Sequence, residues 1–490
     1  MRVLLILLCV LPLVPAVLAT LLPVRLVQGA TVLTGFACFG MALALVPGVA
    51  GGAVTVGFLR ADALSVVFLL AIAFLYATVS LYAIGYLRDS EHTDDFGRYA
   101  RRFYLGFNLF AAAMLWAPLV DGLALLWIAI EITTIISALL VAIENTDTAA
   151  EAAWKYLLIA SAGLGIALLA TIFLYFAGST VLGTSYDLAF TPLLHAATHL
   201  PHTAVRLAFV LAVLGFGTKV GLFPVHTWLP DAHSEAPTPV SALLSGALLA
   251  TSFYAILRFY QVTAATLGST FPRGVLLVFG IASLLLAALY VLDQQDLKRL
   301  LAYSSVEHMG ILAIGVAFGA PIALAGVLLH VLAHAAAKGN AFMGAGVFVR
   351  AFGTKQISKM RGGLDRLPWS APMFLCAILA LSAMPPFGLF RSEFEIVEGG
   401  LDSGRDTGAA ILVALVTLAF LGLALAATRM VFAPAPQGPG TMRGRGPEPS
   451  AWMIAPALIG LAALLVLGIH PPADLTTLLT HGAAELGGAP

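Results

Sequence analysis

Gly217-Thr-Lys-Val-Gly-Leu-Phe-Pro-Val-His-Thr-Trp-Leu-Pro230 sets a lysine, a glycine and a proline inside one long apolar run. A second run, Ser382-Ala-Met-Pro-Pro-Phe-Gly-Leu-Phe-Arg-Ser-Glu-Phe394, repeats the pattern with Pro385 and Pro386 and ends on a glutamate. Proline removes a backbone hydrogen bond and opens a helix, and lipid offers nothing to replace that bond. Breaks at Pro224 and at Pro385/Pro386 must therefore face protein or a water-filled cavity. One such break shapes packing and no more. Two of them, each beside charged residues, point to a transport site.

The sequence around these runs is of the same kind. Of 490 residues, 60% are apolar and only 10% are charged, against roughly 25% in soluble chains, and mean hydropathy is +0.98. Taking about 20 apolar residues per spanning helix, fourteen segments emerge, near 3–22, 26–47, 62–87, 103–120, 122–143, 154–177, 205–229, 238–260, 274–292, 297–318, 321–349, 369–396, 408–431 and 451–469. The fold class is an all-α polytopic membrane protein, since a barrel would show alternating ten-residue strands. Apolar residues continue through Leu22, so the first segment reads as a span and not as a signal peptide. Segments 7 and 12 are discontinuous and lie five spans apart. They run in opposite directions, which is the arithmetic of an inverted repeat.

Counting basic residues outside the helix centres gives sixteen in the loops after odd-numbered segments and seven on the other side. The positive-inside rule then places the odd loops in the cytoplasm and both termini outside it. Arg98, Arg101 and Arg102 serve as topology determinants, whereas Arg258 and Arg429, near span ends, are expected to snorkel to the interface. The Pro/Gly-rich stretch at 432–450, which contains Arg443 and Arg445, reads as a flexible linker. The tail after the last span is too short for a long amphipathic arm.

Zero formal net charge leaves no electrostatic footprint for nucleic acid. Cys9, Cys38 and Cys376 have no metal-ligand spacing, so neither an iron–sulfur cluster nor a zinc site can be built from them. Any redox chemistry belongs to another chain.

The remaining ionisable groups within spans are Glu131, Lys219, His308, His330, His334, Lys338 and Glu393. Each costs roughly 2.5–3.5 kcal/mol at a helix centre on insertion scales and so needs a reason. Burial disfavours the charged form of a lysine and of a carboxyl group alike, and a nearby opposite charge restores both. A Glu–Lys pair that forms and breaks is thus a proton switch. His330, His334 and Lys338 recur every four residues on one helical face, over about 12 Å, and suit a water-bridged proton relay better than isolated structural histidines. A metal is disfavoured there, because that segment adds an ammonium and no carboxylate or thiolate. His195, His199 and His202 read as a solvated loop, with a weak metal alternative in their spacing.

The run from Lys219 to Gly246, continuing Asp231-Ala-His-Ser-Glu-Ala-Pro237, resembles the signature of the antiporter-like membrane subunits of respiratory complex I, membrane-bound group 4 [NiFe]-hydrogenases and Mrp-type cation/proton antiporters. Asp296-Leu-Lys-Arg-Leu-Leu-Ala-Tyr-Ser-Ser-Val-Glu-His-Met-Gly310, the His330/His334/Lys338 row and Pro385 to Phe394 extend the match. Within that family the wording is most similar to the hydrogenase-4 F-type subunit. The resemblance implies three leading helices (1–102), two inverted five-helix repeats (103–262 and 263–432), and a linker with a last helix (433–490). It carries the family's fifth-helix glutamate onto Glu131 and its broken-helix lysine onto Lys219. The histidine of the tenth helix falls on His308, the polar row on His334 and Lys338, and the end of the path on Glu393.

Many relatives carry a lysine or histidine on the eighth helix where this chain has Ala250. Thr251, Ser252, Tyr254 or water would then have to bridge the two half-paths. The function implied is proton translocation as a non-redox membrane subunit of a redox-driven complex, with no catalytic centre or cofactor of its own. Its implied partners are other membrane subunits and a peripheral, [NiFe]-hydrogenase-like module, in the inner (plasma) membrane. The alternatives are an Mrp-type sodium/proton antiporter subunit, the membrane subunit of an inorganic-carbon uptake complex, and a scaffold that no longer conducts.

Overall fold

The computed structural model describes residues 1–88, 95–434 and 448–488. It is helical nearly throughout. The first span bends at Pro12 into α1 (Arg2–Val10) and α2 (Leu13–Leu21), followed by α3 (Val24–Val49). A short hairpin of β1 (Val54–Val56) and β2 (Leu59–Ala61) leads into α4 (Ala63–Arg88). Next come α5 (Phe96–Trp116), α6 (Leu123–Val141), the long α7 (Asp147–Leu182) and the short α8 (Phe190–His195). The central elements are α9 (His202–Val220), α10 (Leu229–Glu235), α11 (Thr238–Leu243), α12 (Leu249–Leu267), α13 (Thr270–Leu292), α14 (Leu297–Phe318) and α15 (Pro321–Phe352). The chain closes with α16 (Gly363–Arg366), α17 (Ser370–Leu381), α18 (Gly388–Asp402), α19 (Asp406–Phe432), α20 (Ala451–Ile469) and α21 (Ala473–Gly487).

Among the described residues, twelve stretches are long and apolar enough to cross a membrane. Two more elements bring the total to the fourteen expected from the sequence. One is α5, whose first two turns carry Arg98, Arg101 and Arg102. The other is the split pair α17/α18, each half too short to span alone. Residues 435–447, including Arg443 and Arg445 of the expected linker, lie outside the described residues.

Both interruptions fall where the prolines put them. Helix α9 stops at Val220, and Gly221 adopts φ 85°, where a side chain would be strained and would also meet Leu229. The chain stays non-helical until Trp228, with Pro224 in the gap. Its freed polar groups are met by protein: Phe223 N–H donates to Ser283 Oγ at 2.9 Å, and Trp228 Nε1 donates to the Thr218 carbonyl at 2.7 Å. The second gap, 382–387, holds Pro385 and Pro386 between α17 and α18.

Burial grades across the bundle. Helices α4, α14 and α15 are enclosed almost completely, whereas α7, α13, α19 and α20 show most of their surface outward, as lipid-facing helices do. Most of the ionisable residues sit on α14, α15 and the broken helices, with Glu131 on the half-buried α6.

One expectation needs correction. Arg258 is not free to snorkel: its side chain is 4% exposed, and it pairs with Asp62 at 2.7 Å. It also donates to Tyr254, Gln261 and Ser65. An arginine well inside an enclosed helix has no route for its head group, so it is neutralised in place. The tail after the last span forms one short helix. Helix α21 packs back against α4 and α15, and Glu485 accepts the N–H groups of Ala63 and Leu64, each at 3.1 Å, thereby capping the start of α4. Burial alone would raise the Asp62 carboxyl, but Arg258 and Arg60 outweigh it and hold it well below the usual carboxylate range.

Candidate functional site

The broken helix α9/α10 aims Lys219 into the space between α6 and α7. The residue is fully buried, and its Nζ donates to Thr134 Oγ1 at 2.8 Å and to the Tyr156 hydroxyl. Tyr156 in turn shares a 2.7 Å hydrogen bond with Ser137, and its ring stacks on Trp228 at 4.3 Å between centroids. Glu131 lies one turn before Thr134 on α6. Its Oε1 accepts from Ser161 at 3.2 Å and its Oε2 has no partner. Glu131 and Lys219 act on one another through their charges but form no ion pair. The ammonium is thus parked on hydroxyls, with its carboxylate within electrostatic reach.

The second half repeats this arrangement on α14 and α15. Lys338 is fully buried and donates to the Leu301 carbonyl at 2.8 Å and to Ser304 Oγ at 2.5 Å. Its carboxylate is Glu307, which is 2% exposed and whose Oε2 is unpartnered. Glu307 stands in the Asp296 to Gly310 run but was not singled out from the sequence. An acidic residue in the middle of an apolar helix was the available signal.

Beyond Lys338 the imidazoles cluster. His308 Nδ1 and His330 Nε2 are 3.1 Å apart, and the His308 ring is 5.1 Å from those of both His330 and His334. Ser392 of α18 holds His330 Nδ1 at 3.0 Å. Glu393 brings its Oε1 to 4.0 Å from His308 Nδ1, and it lines a cavity of about 320 Å³ together with Ser382, Met384, Phe394, Val397 and Phe420. Both nitrogens of His334 lack a hydrogen-bond partner. The expected row on α15 is therefore a cluster spread over three helices, α14, α15 and α18, that ends at an open cavity.

Between the halves, Ala250 is buried in α12. The groups expected to stand in for it are otherwise engaged. Thr251 and Ser252 donate to carbonyls of their own helix, and Tyr254 belongs to the Arg258 network. The polar groups that do lie between the lysines are different ones. A π turn over Leu244–Leu248 joins α11 to α12 within the enclosed span, and there Ser245 bonds Ser305 at 2.7 Å. His233 of α10 is fully buried between Trp228 and Phe342, with Nδ1 on the Leu229 carbonyl and Nε2 unpartnered. It was hidden from sequence reading inside the Asp231 to Pro237 motif.

His195, His199 and His202 are exposed, and among the described residues they form no ligand cluster.

Known proteins share the family and the fold. Residues 120–421 match the family described as NADH:quinone oxidoreductase/Mrp antiporter, TM. The hydrogenase-4 component F homolog of Methylacidiphilum infernorum is 34% identical over 74% of this chain and 76% of its own length. Hydrogenase-4 component B of Escherichia coli is also 34% identical over 74% of this chain, which spans 54% of that longer protein. A chain of respiratory complex I from Thermus thermophilus superposes with a TM-score of 0.81 at 25% identity, covering 99% of this chain and all of that one. A chain of the Mrp complex from Dietzia sp. DQ12-45-1b gives 0.84 at 22% identity over 99% and 98%, a likeness of fold. With more than half its length in the family match and relatives above 30% identity, the chain is a member of the NADH:quinone oxidoreductase/Mrp antiporter membrane family, with an antiporter-like, multi-pass architecture.

Proposed function

We propose that the chain moves protons across the membrane as part of a redox-driven complex of the hydrogenase-4 kind. The observation that carries this reading is the repeated arrangement of the two lysines. Each ammonium is fully buried and held by neutral oxygens, with one carboxylate close enough to act on it and not bonded to it. Drawing a carboxylate to its lysine favours the ammonium, and separating them favours release of a proton. Glu131 and Lys219 form the switch of the first half, and Glu307 and Lys338 that of the second. The imidazoles of His308, His330 and His334 carry the proton onward to Glu393.

Moving one charge against 100 mV costs about 2.3 kcal/mol. The chain offers no nucleotide motif or cysteine cluster to supply it, so the drive comes from partners. Those partners are other membrane subunits and a peripheral module resembling a [NiFe]-hydrogenase. The two switches belong to inverted repeats at 103–262 and 263–432. The protein sits in the inner membrane with both termini on the non-cytoplasmic side.

The test is Lys219→Ala in the assembled complex. Assembly and electron transfer should persist while proton uptake stops; retained uptake sinks the reading. A second reading, sodium or potassium exchange for protons without a redox partner, draws on similarity to a probable K(+)/H(+) antiporter protein of Rhizobium meliloti. That protein is 30% identical over 84% of this chain and 40% of its own length. Cation-dependent proton movement in vesicles without an electron donor would select it.

A further inference from the structure

We propose that His308, His330 and Glu393 form a binding site for a divalent transition metal of the zinc type. Segment 11 alone made a metal unattractive, because it supplies imidazoles and a lysine and no carboxylate. The fold changes that by bringing in a histidine from α14 and a glutamate from α18. One donor atom from each residue lies within 4.8 Å of the other two, and all three residues are buried.

The measured separations suit a small tetrahedral ion. His308 Nδ1 lies 3.1 Å from His330 Nε2 and 4.0 Å from Glu393 Oε1. Bonds of 2.0–2.1 Å place neighbouring donors about 3.3 Å apart, so the imidazoles are already seated and only the carboxylate must swing in. Glu393 has room to do so, because it borders the 320 Å³ cavity. Two imidazole nitrogens with one carboxylate oxygen select zinc and its transition-metal neighbours over magnesium and calcium, which want oxygen ligands throughout.

Two further features point the same way. Metal-binding histidines are held by a hydrogen bond on their other nitrogen, and Ser392 Oγ supplies one to His330 Nδ1 at 3.0 Å. His334 is fully buried, sits 5.1 Å from the His308 ring, and has both nitrogens unpartnered, which leaves a further imidazole beside the three donors. The nearby ammonium is turned aside, since Lys338 is tied to the Leu301 carbonyl and to Ser304.

The site stands on this geometry alone. Its consequence for transport rests on the proposed proton path: an ion here occupies the nitrogen lone pairs that would pass the proton, and so acts as a brake on the second half.

The test uses the purified full-length chain in nanodiscs titrated with Co²⁺, whose tetrahedral complexes absorb visibly, followed by displacement with Zn²⁺. One tetrahedral Co²⁺ per chain is expected. Glu393→Gln and His330→Gln should weaken it at least tenfold, and Ser392→Ala by about ten- to a hundredfold. Lys219→Ala, remote from the cluster, should leave binding unchanged. Ser392→Ala removes no ligand and keeps the comparison available if either ligand variant fails to fold. Absence of a one-to-one tetrahedral spectrum, or equal affinity in wild type, Glu393→Gln and Ser392→Ala, overturns the site. Zn²⁺ bound at one per chain with proton flux undiminished supports the site and overturns the row as a conductor.

Discussion

The two halves hold the same pair of charges in unlike surroundings. Around Lys219 there is one half-buried carboxylate, a tyrosine and two small hydroxyls, and among the described residues no histidine is bonded to the ammonium. Around Lys338 there are a fully enclosed carboxylate, three packed imidazoles and a second glutamate at a cavity wall. On the proposed proton path the first half would hold a charge in one of two places, and the second would hand a proton along. Duplicated architecture thus does not imply duplicated duty, and the halves should respond differently to equivalent substitutions.

The hardest test of that division is to remove each lysine in turn. Lys219→Ala and Lys338→Ala should each lower redox-driven proton uptake by about a hundredfold or more, the scale of losing a positioned proton-transfer group. Flux surviving in one variant and lost in the other would show that the halves do not act in series.

Removing the carboxylates should separate them. Glu307 is enclosed, so no solvent charge can replace it, whereas Glu131 is partly accessible. Glu307→Gln should cost about tenfold in uptake and Glu131→Gln a few-fold, because a desolvated partner is worth more than a screened one. The reverse ranking would make the first half the tighter switch.

A smaller difference is expected from the groups that hold the ammoniums. Tyr156→Phe keeps the stack on Trp228 and loses one bond to Lys219, and Ser304→Ala leaves Lys338 its Leu301 carbonyl. Each removes about 0.5–1.5 kcal/mol, or roughly two- to tenfold in uptake. An unchanged rate in both would mean that these oxygens only fill space.

The mildest effect lies outside both halves and serves as their control. Burial and the charge of Asp62 push the Glu485 carboxyl up from 4.5 to about 7, with Arg258 pulling the other way. The docked tail helix therefore retains a proton that the undocked one gives up. Its docking is fullest below about pH 4.5 and weakens as pH rises through 7. Hydrogen exchange at α21 and at the amides of Ala63 and Leu64, corrected for intrinsic rate, should show less protection at pH 7.5 than at pH 5. Glu485→Gln should flatten that dependence, and equal protection in the wild type at both values would remove the effect.

Much of this was legible in the chain because the membrane permits so little. The approximate places of the segments, the two proline breaks, and Lys219, His308, His330, His334, Lys338 and Glu393 as buried charges could be read from hydropathy and from the cost of charge in lipid, though the 36 residues of α7 exceed the segment expected at 154–177. What escaped depends on adjacency between distant elements. Glu307 needed α15 beside α14 before it became a partner for Lys338. Arg258 looked like a span-end residue until Asp62, far earlier in the chain, was found against it. His233 needed the unwound stretch after Val220 to turn α10 inward. The replacements expected for Ala250 share its own helix, while the polar groups between the halves, Ser245, Ser305 and His233, lie on three elements.

Helix α7 has 36 residues and is about 54 Å long, far beyond a hydrocarbon core of about 30 Å. Near its N-terminal end Lys155 bridges Glu151 and Asp231, the latter on the second half of the broken helix. The next residue, Tyr156, is the one whose hydroxyl holds Lys219. Surface ion pairs and buried ammonium are therefore gripped by consecutive residues of one stiff rod. A small axial rotation or tilt of that rod, imposed where it stands clear of lipid, is delivered to the lysine with almost no mechanical slack.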